Sequence, residues 1–149
     1  MYILKSTLDE ILAVIGKSPI ESGGIIGCRD GCICAFVFDE AYTSQNEYRP
    51  NVEYLNAEIQ KWNAEGISFC GIIHSHLYGF DFPSESDRIY AQKLFTFGAN
   101  ITTLLFPIVT IDGYNEPQIA FYKFSNDSLS FVKLALRMVD KDTYMLANE

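Results

Sequence analysis

The sequence predicts a single α+β domain in which a mixed sheet is flanked by helices, and three observations lead to this fold class. The chain has 149 residues, a length that usually forms one domain with its own core, so we expect one domain over residues 1–149. Segments with apolar residues at helical spacing alternate with short β-rich segments. Their order is helix, two strands, helix, strand, helix and two strands, which is typical of one sheet covered by helices.

Local patterns justify each element in turn. Thr7-Leu8-Asp9-Glu10 has capping-box spacing and predicts a helix over 7–16. The segments 21–28 and 32–39 are β-rich and flank an Asp30-Gly31 turn signal, which predicts a hairpin. The further predicted elements are a loop over 40–50, a helix from Val52 to Gly66, a buried strand over 67–73, a loop over 77–83, a helix from Ser84 to about Phe97, and strands over 101–111 and 118–124 around Asp112-Gly113. Residues 128–145 fit either a strand or a helix.

Composition and charge exclude several classes of protein. The formal net charge is -8, which does not suit a nucleic-acid partner, because binding to DNA or RNA depends on basic patches. The N-terminal residues do not have the pattern of a signal peptide, and no apolar segment reaches the length of a membrane span. The sequence therefore predicts a cytoplasmic protein with neither a nucleic-acid nor a membrane partner.

The chain contains four cysteines, and without a secretion signal we expect free thiols rather than disulfides. Cys28, Cys32 and Cys34 lie close together in the sequence, as zinc ligands can. Structural zinc sites usually combine two separated Cys or His pairs, however, and this group lacks a second pair. We therefore expect Cys32 and Cys34 to pack as small apolar residues, and we assign no role to Cys70.

The two histidines of the chain lie one residue apart. His74 and His76 follow an apolar strand, and side chains alternate along a strand, so both imidazoles face the same side. Asp87 follows eleven residues later, three positions after the start of the predicted helix at Ser84. Two imidazoles and one carboxylate suit Zn²⁺ and leave its fourth tetrahedral position open to water, as in catalytic sites. The sequence therefore predicts a zinc site made of His74, His76 and Asp87.

Other interpretations of these residues stay open. The two histidines could be close by coincidence. Ser84 and Asp87 also have the spacing of a helix N-terminus, with Ser84 as N-cap. Asp81 lies in the preceding loop and could compete as a ligand. The three predicted ligands would also accept other divalent metals, because the order of affinities alone does not select zinc.

The spacing of these residues resembles the signature of a known family. His74-Ser75-His76, followed after seven residues by Ser84-Glu85-Ser86-Asp87, is similar to the H-x-H-x(7)-S-x-x-D motif of the JAMM (JAB/MPN) metalloproteases. Glu21 and the small residues after it resemble the upstream strand of that family. The resemblance extends from the first helix to at least residue 124. It implies the minimal prokaryotic type, with a JAB/MPN-like (cytidine-deaminase-like) architecture.

The resemblance also implies a role for each matching residue. His74, His76 and Asp87 resemble the zinc ligands of the family. Glu21 resembles the general base that takes a proton from the attacking water and passes it to the leaving amine; its other interpretation is a solvated charge at the start of a strand. Ser84 resembles the residue that donates a hydrogen bond to the oxyanion of the tetrahedral intermediate.

The loop after the second histidine departs from the family pattern. Leu77 stands where family members commonly carry proline, which affects the shape of the loop and the fit of a substrate. The loop is also rich in aromatic residues. Tyr78, Phe80 and Phe82 either line a substrate groove or pack locally.

The family cleaves amide bonds at the C-terminal tail of ubiquitin or ubiquitin-like proteins, and some bacterial members act on sulfur-carrier proteins or small conjugates. The short connections at about 40–50 and 112–117 are unlike the insertions of the deubiquitinases. The resemblance therefore implies a zinc-dependent isopeptidase that acts on the tail of a ubiquitin-like or sulfur-carrier protein. Three alternatives stay open: an inactive MPN-type scaffold, a zinc amidohydrolase of cell-wall or phage-tail peptides, and a RadC-like protein, which the acidic charge disfavours. The oligomeric state does not follow from the sequence.

Overall fold

A computed structural model gives the fold and describes residues 1–40, 48–97, 101, 103–113 and 116–141. The strands are β1 (Tyr2–Leu4), β2 (Gly23–Arg29), β3 (Cys32–Phe38), β4 (Ser68–Leu77), β5 (Ile108–Ile111), β6 (Gln118–Ser125), β7 (Ser130–Leu134) and β8 (Arg137–Val139). The helices are α1 (Lys5–Val14), α2 (Val52–Ala64) and α3 (Glu85–Phe97). None of these described helices is long and apolar enough to cross a membrane.

The described strands form one eight-stranded sheet in the order β7-β6-β5-β4-β2-β3-β1-β8. β2 pairs antiparallel with both β3 and β4, whereas β4 pairs in parallel with β5. The sheet is therefore mixed, and the predicted α+β class is confirmed. β4, the strand that ends with the two histidines, lies in the interior of the sheet and is held by backbone hydrogen bonds on both sides.

The predicted hairpin of β2 and β3 forms because its turn residues suit a tight connection. Asp30 and Gly31 have φ values of 52° and 75°, and two successive positive φ values are the requirement of a type I′ turn. The hairpin holds β2 beside β4 along its other edge. This arrangement brings the residues that precede β2 close to the end of β4.

Strand alternation divides the core between the two faces of the sheet. Ile73 and Val109 belong to a cluster that also contains Ile11 and Ile15, from α1 and the residue after it. Their neighbours in the chain, Ile72 and Ile108, point to the opposite face of the sheet and belong to a second cluster. This second cluster includes apolar residues of α2 and α3. Its buried members are Ile25, Leu55, Trp62, Ile72, Ala91, Leu104, Phe106, Ile108, Tyr122 and Phe124. The face covered by α2 and α3 is the face on which the histidines lie.

The two edge strands of the sheet are consecutive in the chain. β7 ends at Leu134 and β8 begins at Arg137, and a connection of this length spans at most about 11 Å even when fully extended. The sheet therefore has to curl until its opposite edges approach each other. The curl explains how so short a connection joins β7 and β8.

Two local predictions from the sequence are wrong, and one strand is missed. β1 is too short to show a period, so the sequence does not predict it. α1 begins at Lys5, Leu4 occupies the N-cap position without a side-chain cap, and Thr7 is buried within the helix, so the predicted capping box does not form. Of the strand predicted over 101–111, only β5 pairs regularly, while Leu105 makes isolated bridges.

Several predicted segments lie wholly or partly outside the described residues. Residues 41–47 of the loop predicted over 40–50 are not described. The same holds for residues 114 and 115 of the connection over 112–117 and for residues 142–145 of the ambiguous stretch over 128–145. Residue 102 of the strand predicted over 101–111 also lies outside them. The described part of the ambiguous stretch contains two strands, β7 and β8.

Two of the four cysteines form a disulfide, which links Cys28 of β2 to Cys70 of β4. The prediction of free thiols is therefore wrong for this pair. A register shift between Ile26 and Gly27 occurs where these two neighbouring strands pair, and the Cα atoms of Cys28 and Cys70 are 6.0 Å apart, a usual spacing for a disulfide. Cys32 and Cys34 are free, and Cys32 is buried as expected.

We expect loss of this disulfide in a C28S/C70S variant to lower the free energy of unfolding by about 2–4 kcal/mol, because the bond closes a long loop in the unfolded chain. Urea titration of the variant beside the oxidised protein measures the change. C34S is the matched control, since its thiol is free, and it should unfold close to the original midpoint. Alkylation of the denatured, unreduced chain should label two thiols; labelling of all four would contradict the pairing.

Candidate metal centre

His74 and His76 lie near the end of β4, where backbone pairing fixes both side chains. His74 is opposite Gly23 of β2 and Ile108 of β5. The two imidazole rings point to the same face, as predicted, and their centroids are 4.7 Å apart. The ring of His74 also packs edge-on against Phe106, with centroids 5.1 Å apart. This packing fixes the His74 ring within the core beneath α2 and α3.

Asp87 lies in the first turn of α3, where the helix N-terminus orients its side chain. The Asp87 N–H donates to Ser84 Oγ at 3.1 Å, and the Ser84 N–H donates to Asp87 Oδ2 at 2.8 Å. This reciprocal pair is an N-cap, so the interpretation of Ser84 as a cap is confirmed. The cap does not compete with a metal site. It holds the Asp87 carboxylate in a single direction, toward the two histidines.

The three side chains converge on one point. The Nε2 atoms of His74 and His76 are 3.0 Å apart. Asp87 Oδ1 lies 3.2 Å from His74 Nε2, and Asp87 Oδ2 lies 3.3 Å from His76 Nε2. Among the described residues, this is the one group of three or more His, Cys, Asp or Glu side chains that could hold a metal ion. Asp81, the alternative ligand, is not part of it.

The spacing of these atoms fits a small divalent cation. Ligand atoms at about 2.0–2.1 Å from a tetrahedral zinc ion lie about 3.3 Å from one another. The two Nε2 atoms are 3.0 Å apart, and each has a different Asp87 oxygen at 3.2–3.3 Å. With one ligand atom taken from each residue, the atoms lie within 4.8 Å of one another. All three side chains are mostly shielded from solvent. A buried carboxylate beside two imidazole nitrogens is well matched to a shared cation. The group could therefore hold a metal ion with little rearrangement.

Asp87 is held in its ionised form, as a ligand must be. Burial raises the pKa of its carboxyl, but hydrogen bonds from His74 and His76 and from the Ser84 N–H outweigh the burial. The net result is a pKa below the usual range of an aspartate. The Asp87 carboxylate therefore carries a negative charge that would attract a cation.

His74, His76 and Asp87 could hold a metal ion, and we call them the metal-ligand group. They line a cavity of about 800 Å³ that is also lined by Glu21 and Ser84. Glu21 directly precedes Ser22, whose N–H donates to Ser75 Oγ at 3.0 Å. In return, the Ser75 N–H donates to the Ser22 carbonyl oxygen at 2.9 Å. Ser75 lies between the two histidines, so these bonds tie the backbone next to Glu21 to the strand that carries them. Both residues with predicted catalytic roles are thus brought to the cavity of the metal-ligand group.

Tyr48 forms a wall of this cavity that the sequence does not predict. Its ring is stacked near His74, with centroids 6.4 Å apart, and its hydroxyl donates to Asp39 Oδ2 at 2.8 Å. Asp39 is fully buried and also accepts from the Asn51 N–H at 2.8 Å. Burial, with the bond to Asp39, raises the pKa of Tyr48, so the phenol stays protonated and keeps donating. The Gly23-Gly24 pair is the one sequence signal of such close packing.

We expect Gly23→Ala to lower both stability and metal affinity. A Cβ atom there would lie 2.6 Å from Tyr48 Cε2 and would also collide with the Ile73 carbonyl oxygen. Such overpacking costs about 1–3 kcal/mol, and the displaced ring is the one next to His74. Urea unfolding and zinc titration measure the two effects.

Gly31→Ala is the matched control for Gly23→Ala. Gly31 has a φ of 75° and open space around its Cα, so the substitution costs backbone strain alone. It should lower stability without changing zinc affinity. Equal zinc affinities for the two variants would contradict a link between Gly23, Tyr48 and the metal centre.

One comparison with known proteins identifies the family. A family model described as prokaryotic homologs of the JAB domain matches residues 5–124. No significant sequence match was found among curated proteins.

Solved structures show the same fold. A protein from Desulfitobacterium hafniense superimposes with a TM-score of 0.73 at 18% identity, covering 95% of this chain and 94% of that one. A JAB1/MPN domain protein from Archaeoglobus fulgidus gives a TM-score of 0.56 at 20% identity, covering 93% and 97%. A structure described as a metalloprotease-like zinc site in the proteasome and signalosome gives 0.55 at 18% identity, covering 94% and 98%. The chain belongs to the family of prokaryotic homologs of the JAB domain.

Proposed function

We propose that this chain is a zinc-dependent metallopeptidase that hydrolyses an amide bond at the C-terminal tail of a ubiquitin-like or sulfur-carrier protein. One observation carries the proposal. The convergent atoms of His74, His76 and Asp87 share a single cavity with Glu21 and Ser84. An inactive scaffold has no need to keep a complete ligand group, a carboxylate and a hydroxyl in one cavity, so this arrangement favours an enzyme.

His74, His76 and Asp87 would hold the metal at the cavity that Glu21 and Ser84 also line. When bound, zinc would supply a Lewis acid that polarises the scissile carbonyl and lowers the pKa of water. Glu21 and Ser84 also match the family motif and lie outside the ligand group, and Glu21 is the carboxylate of the two. Its carboxylate would accept a proton from the attacking water and later deliver it to the leaving amine.

Ser84 would stabilise the negative charge that develops on the carbonyl oxygen. Its Oγ accepts a hydrogen bond from the Asp87 N–H, which uses a lone pair and not the hydroxyl hydrogen. The hydroxyl can therefore donate to an oxyanion while it caps α3. Because the cap fixes the position of Ser84, this donor would need little reorganisation during the reaction.

The form of the cavity supports a flexible polypeptide tail as substrate. Its volume of about 800 Å³ is within the range of pockets that enclose a small ligand, and it is far too small for a folded domain. An extended tail can reach the metal-ligand group while the rest of its protein stays outside. A terminal glycine would help, since it lets the backbone approach the site closely.

The proposal is tested with a sulfur-carrier protein whose C-terminal glycine is joined by an amide bond to a reporter peptide. We expect the zinc-loaded chain to release the carrier with a free C-terminal glycine, identified by mass spectrometry. A chelator and the variant His76→Ala should each abolish release. If the loaded chain holds one zinc and cleaves neither this fusion nor the matching ubiquitin-like fusion, an MPN-type scaffold is the better explanation.

A further inference from the structure

The loop between His76 and Ser84 exposes three aromatic rings at the mouth of the cavity. Among the described large apolar side chains, Tyr78 has the greatest exposure, at 86%, and Phe80 and Phe82 are each 55% exposed. All three line the cavity of the metal-ligand group. The rings of Phe80 and Phe82 meet edge to face, with centroids 6.0 Å apart. We call these three side chains the aromatic ledge.

The backbone of the loop is held in place, although its rings are exposed. The Tyr122 hydroxyl donates to the Asp81 carbonyl oxygen at 2.6 Å, and the Thr110 hydroxyl donates to the Phe80 carbonyl oxygen at 3.4 Å. Tyr78 has a φ of 60°, a backbone conformation that non-glycine residues seldom adopt, and Gly79 follows with 79°. Strained backbone of this kind tends to occur at functional sites. Tyr122 and Thr110 thus hold the backbone of the loop, while its rings stay exposed.

Exposed aromatic rings on a fixed loop are typical of a binding surface. Such rings contribute large contact areas at a low cost in conformational entropy, and contiguous exposed apolar side chains often mark interaction sites. A membrane is a poor candidate for the partner, because the cavity contains Glu21 and Asp87 and the chain has a net charge of -8; anionic lipid surfaces attract basic proteins. A polypeptide in the adjoining cavity is the better candidate.

We propose that the aromatic ledge binds a large apolar side chain of the substrate on the amine side of the scissile bond. This inference rests on the proposed function, in which the acyl residue at the scissile bond is glycine, so that the side chain nearest the bond belongs to the amine side. Tyr78 is two residues beyond His76, and Phe82 is two residues before Ser84, so each end of the ledge begins within about 7 Å of the site backbone. The ledge therefore lies beside the metal-ligand group in the same cavity, within reach of residues next to the scissile bond. It would select the leaving group.

The test measures binding separately from hydrolysis. The probes are blocked synthetic peptides with one acyl sequence ending in Gly-Gly and an amine-side residue that is Phe, Leu, Ser or Asp. A second set keeps Ser on the amine side and places Phe or Ser three residues before the bond on the acyl side. Affinities are determined by calorimetry with zinc-loaded Glu21→Gln, in which hydrolysis is expected to be lost. Cleavage of the same peptides is measured with the unsubstituted chain.

We expect the amine-side Phe peptide to bind about tenfold or more tightly than the Ser peptide, the usual gain from one large apolar contact. In the Glu21→Gln background, F80A/F82A should remove this preference, so that the Phe and Ser peptides bind with equal affinity. Val132→Ala is the matched control because Val132 is 52% exposed on β7 and lies outside the cavity lining. Tyr78→Gly is a second variant. It removes one ring of the ledge without straining the backbone, because glycine readily adopts the positive φ of this position.

The outcomes distinguish failure of the proposal for the aromatic ledge from failure of the proposed function. An amine-side preference that depends on Phe80 and Phe82, without cleavage of any peptide, would support the ledge and count against the hydrolase. Cleavage of the peptides, with equal affinities for the Phe and Ser peptides, would contradict the binding role of the ledge and leave the proposed function standing. A preference on the acyl side, or F80A/F82A-sensitive dimerisation or vesicle binding without a peptide preference, would also overturn it.

Discussion

We expect His74→Ala and Asp87→Ala each to lower zinc affinity by more than about 100-fold, so that neither variant keeps the ion through dialysis. The Nε2 atoms of His74 and His76 are 3.0 Å apart, and each lies 3.2–3.3 Å from one oxygen of the Asp87 carboxylate. Removal of one of these side chains leaves only two protein ligands. Even loss of a residue that merely orients a ligand costs 10–100-fold in many metal sites, so loss of a ligand should cost more. Elemental analysis after dialysis, with competitive chelator titration, measures the change.

Cys32→Ser is the matched control for the metal measurements. Cys32 is buried on β3 and does not line the cavity of the metal-ligand group, so this variant should keep one zinc per chain. Stoichiometric zinc in both His74→Ala and Asp87→Ala would contradict the ligand assignment. Loss of zinc in Cys32→Ser alone would instead favour a site formed by the cysteines.

Glu21→Gln should keep the metal and lose hydrolysis, with a fall in kcat of about 10²–10⁴, the usual contribution of a general acid–base residue. The amide of glutamine preserves the size and polarity of the side chain, but it cannot accept a proton from water. Glu21 is not part of the metal-ligand group, so zinc content should not change. Steady-state cleavage of the carrier fusion and elemental analysis together test both expectations.

The control for Glu21→Gln is Glu53→Gln, which removes an exposed carboxylate from the first turn of α2. It should leave kcat and zinc content unchanged. A Glu21→Gln enzyme with nearly the original kcat would show that Glu21 is only a polar residue before β2. Loss of zinc in Glu21→Gln would show instead that Glu21 supports the ligands.

The metal-ligand group could be predicted from the sequence because its geometry is local. His74 and His76 meet on one face because side chains alternate along a strand, and Asp87 is oriented by a cap that its spacing from Ser84 defines. Each arrangement depends on only a few neighbouring residues. The sequence also predicts β2, β3, β4 and the three helices, since each is long enough to show a period or a turn signal.

The features that the sequence does not predict depend on contacts between distant segments. Tyr48 reaches His74 only because buried Asp39 holds its hydroxyl and Gly23 leaves room for its ring. The Cys28–Cys70 disulfide depends on a register shift between two strands that are far apart in the chain. No local pattern encodes such pairings. The exposure of the aromatic ledge likewise follows from two distant side chains that hold the loop backbone, Tyr122 and Thr110.

The two edge strands of the sheet, β7 and β8, are poorly suited to pairing with another molecule. Unpaired backbone at a sheet edge is a template for strands from other molecules. Here β7 has five residues, β8 has three, and each carries a cation, Lys133 or Arg137, which discourages docking of a further strand. Within the described part of the chain, the edges of the sheet therefore offer little backbone for fibril-like growth. A substrate tail would likewise find few backbone partners there, which leaves its recognition to side chains in the cavity.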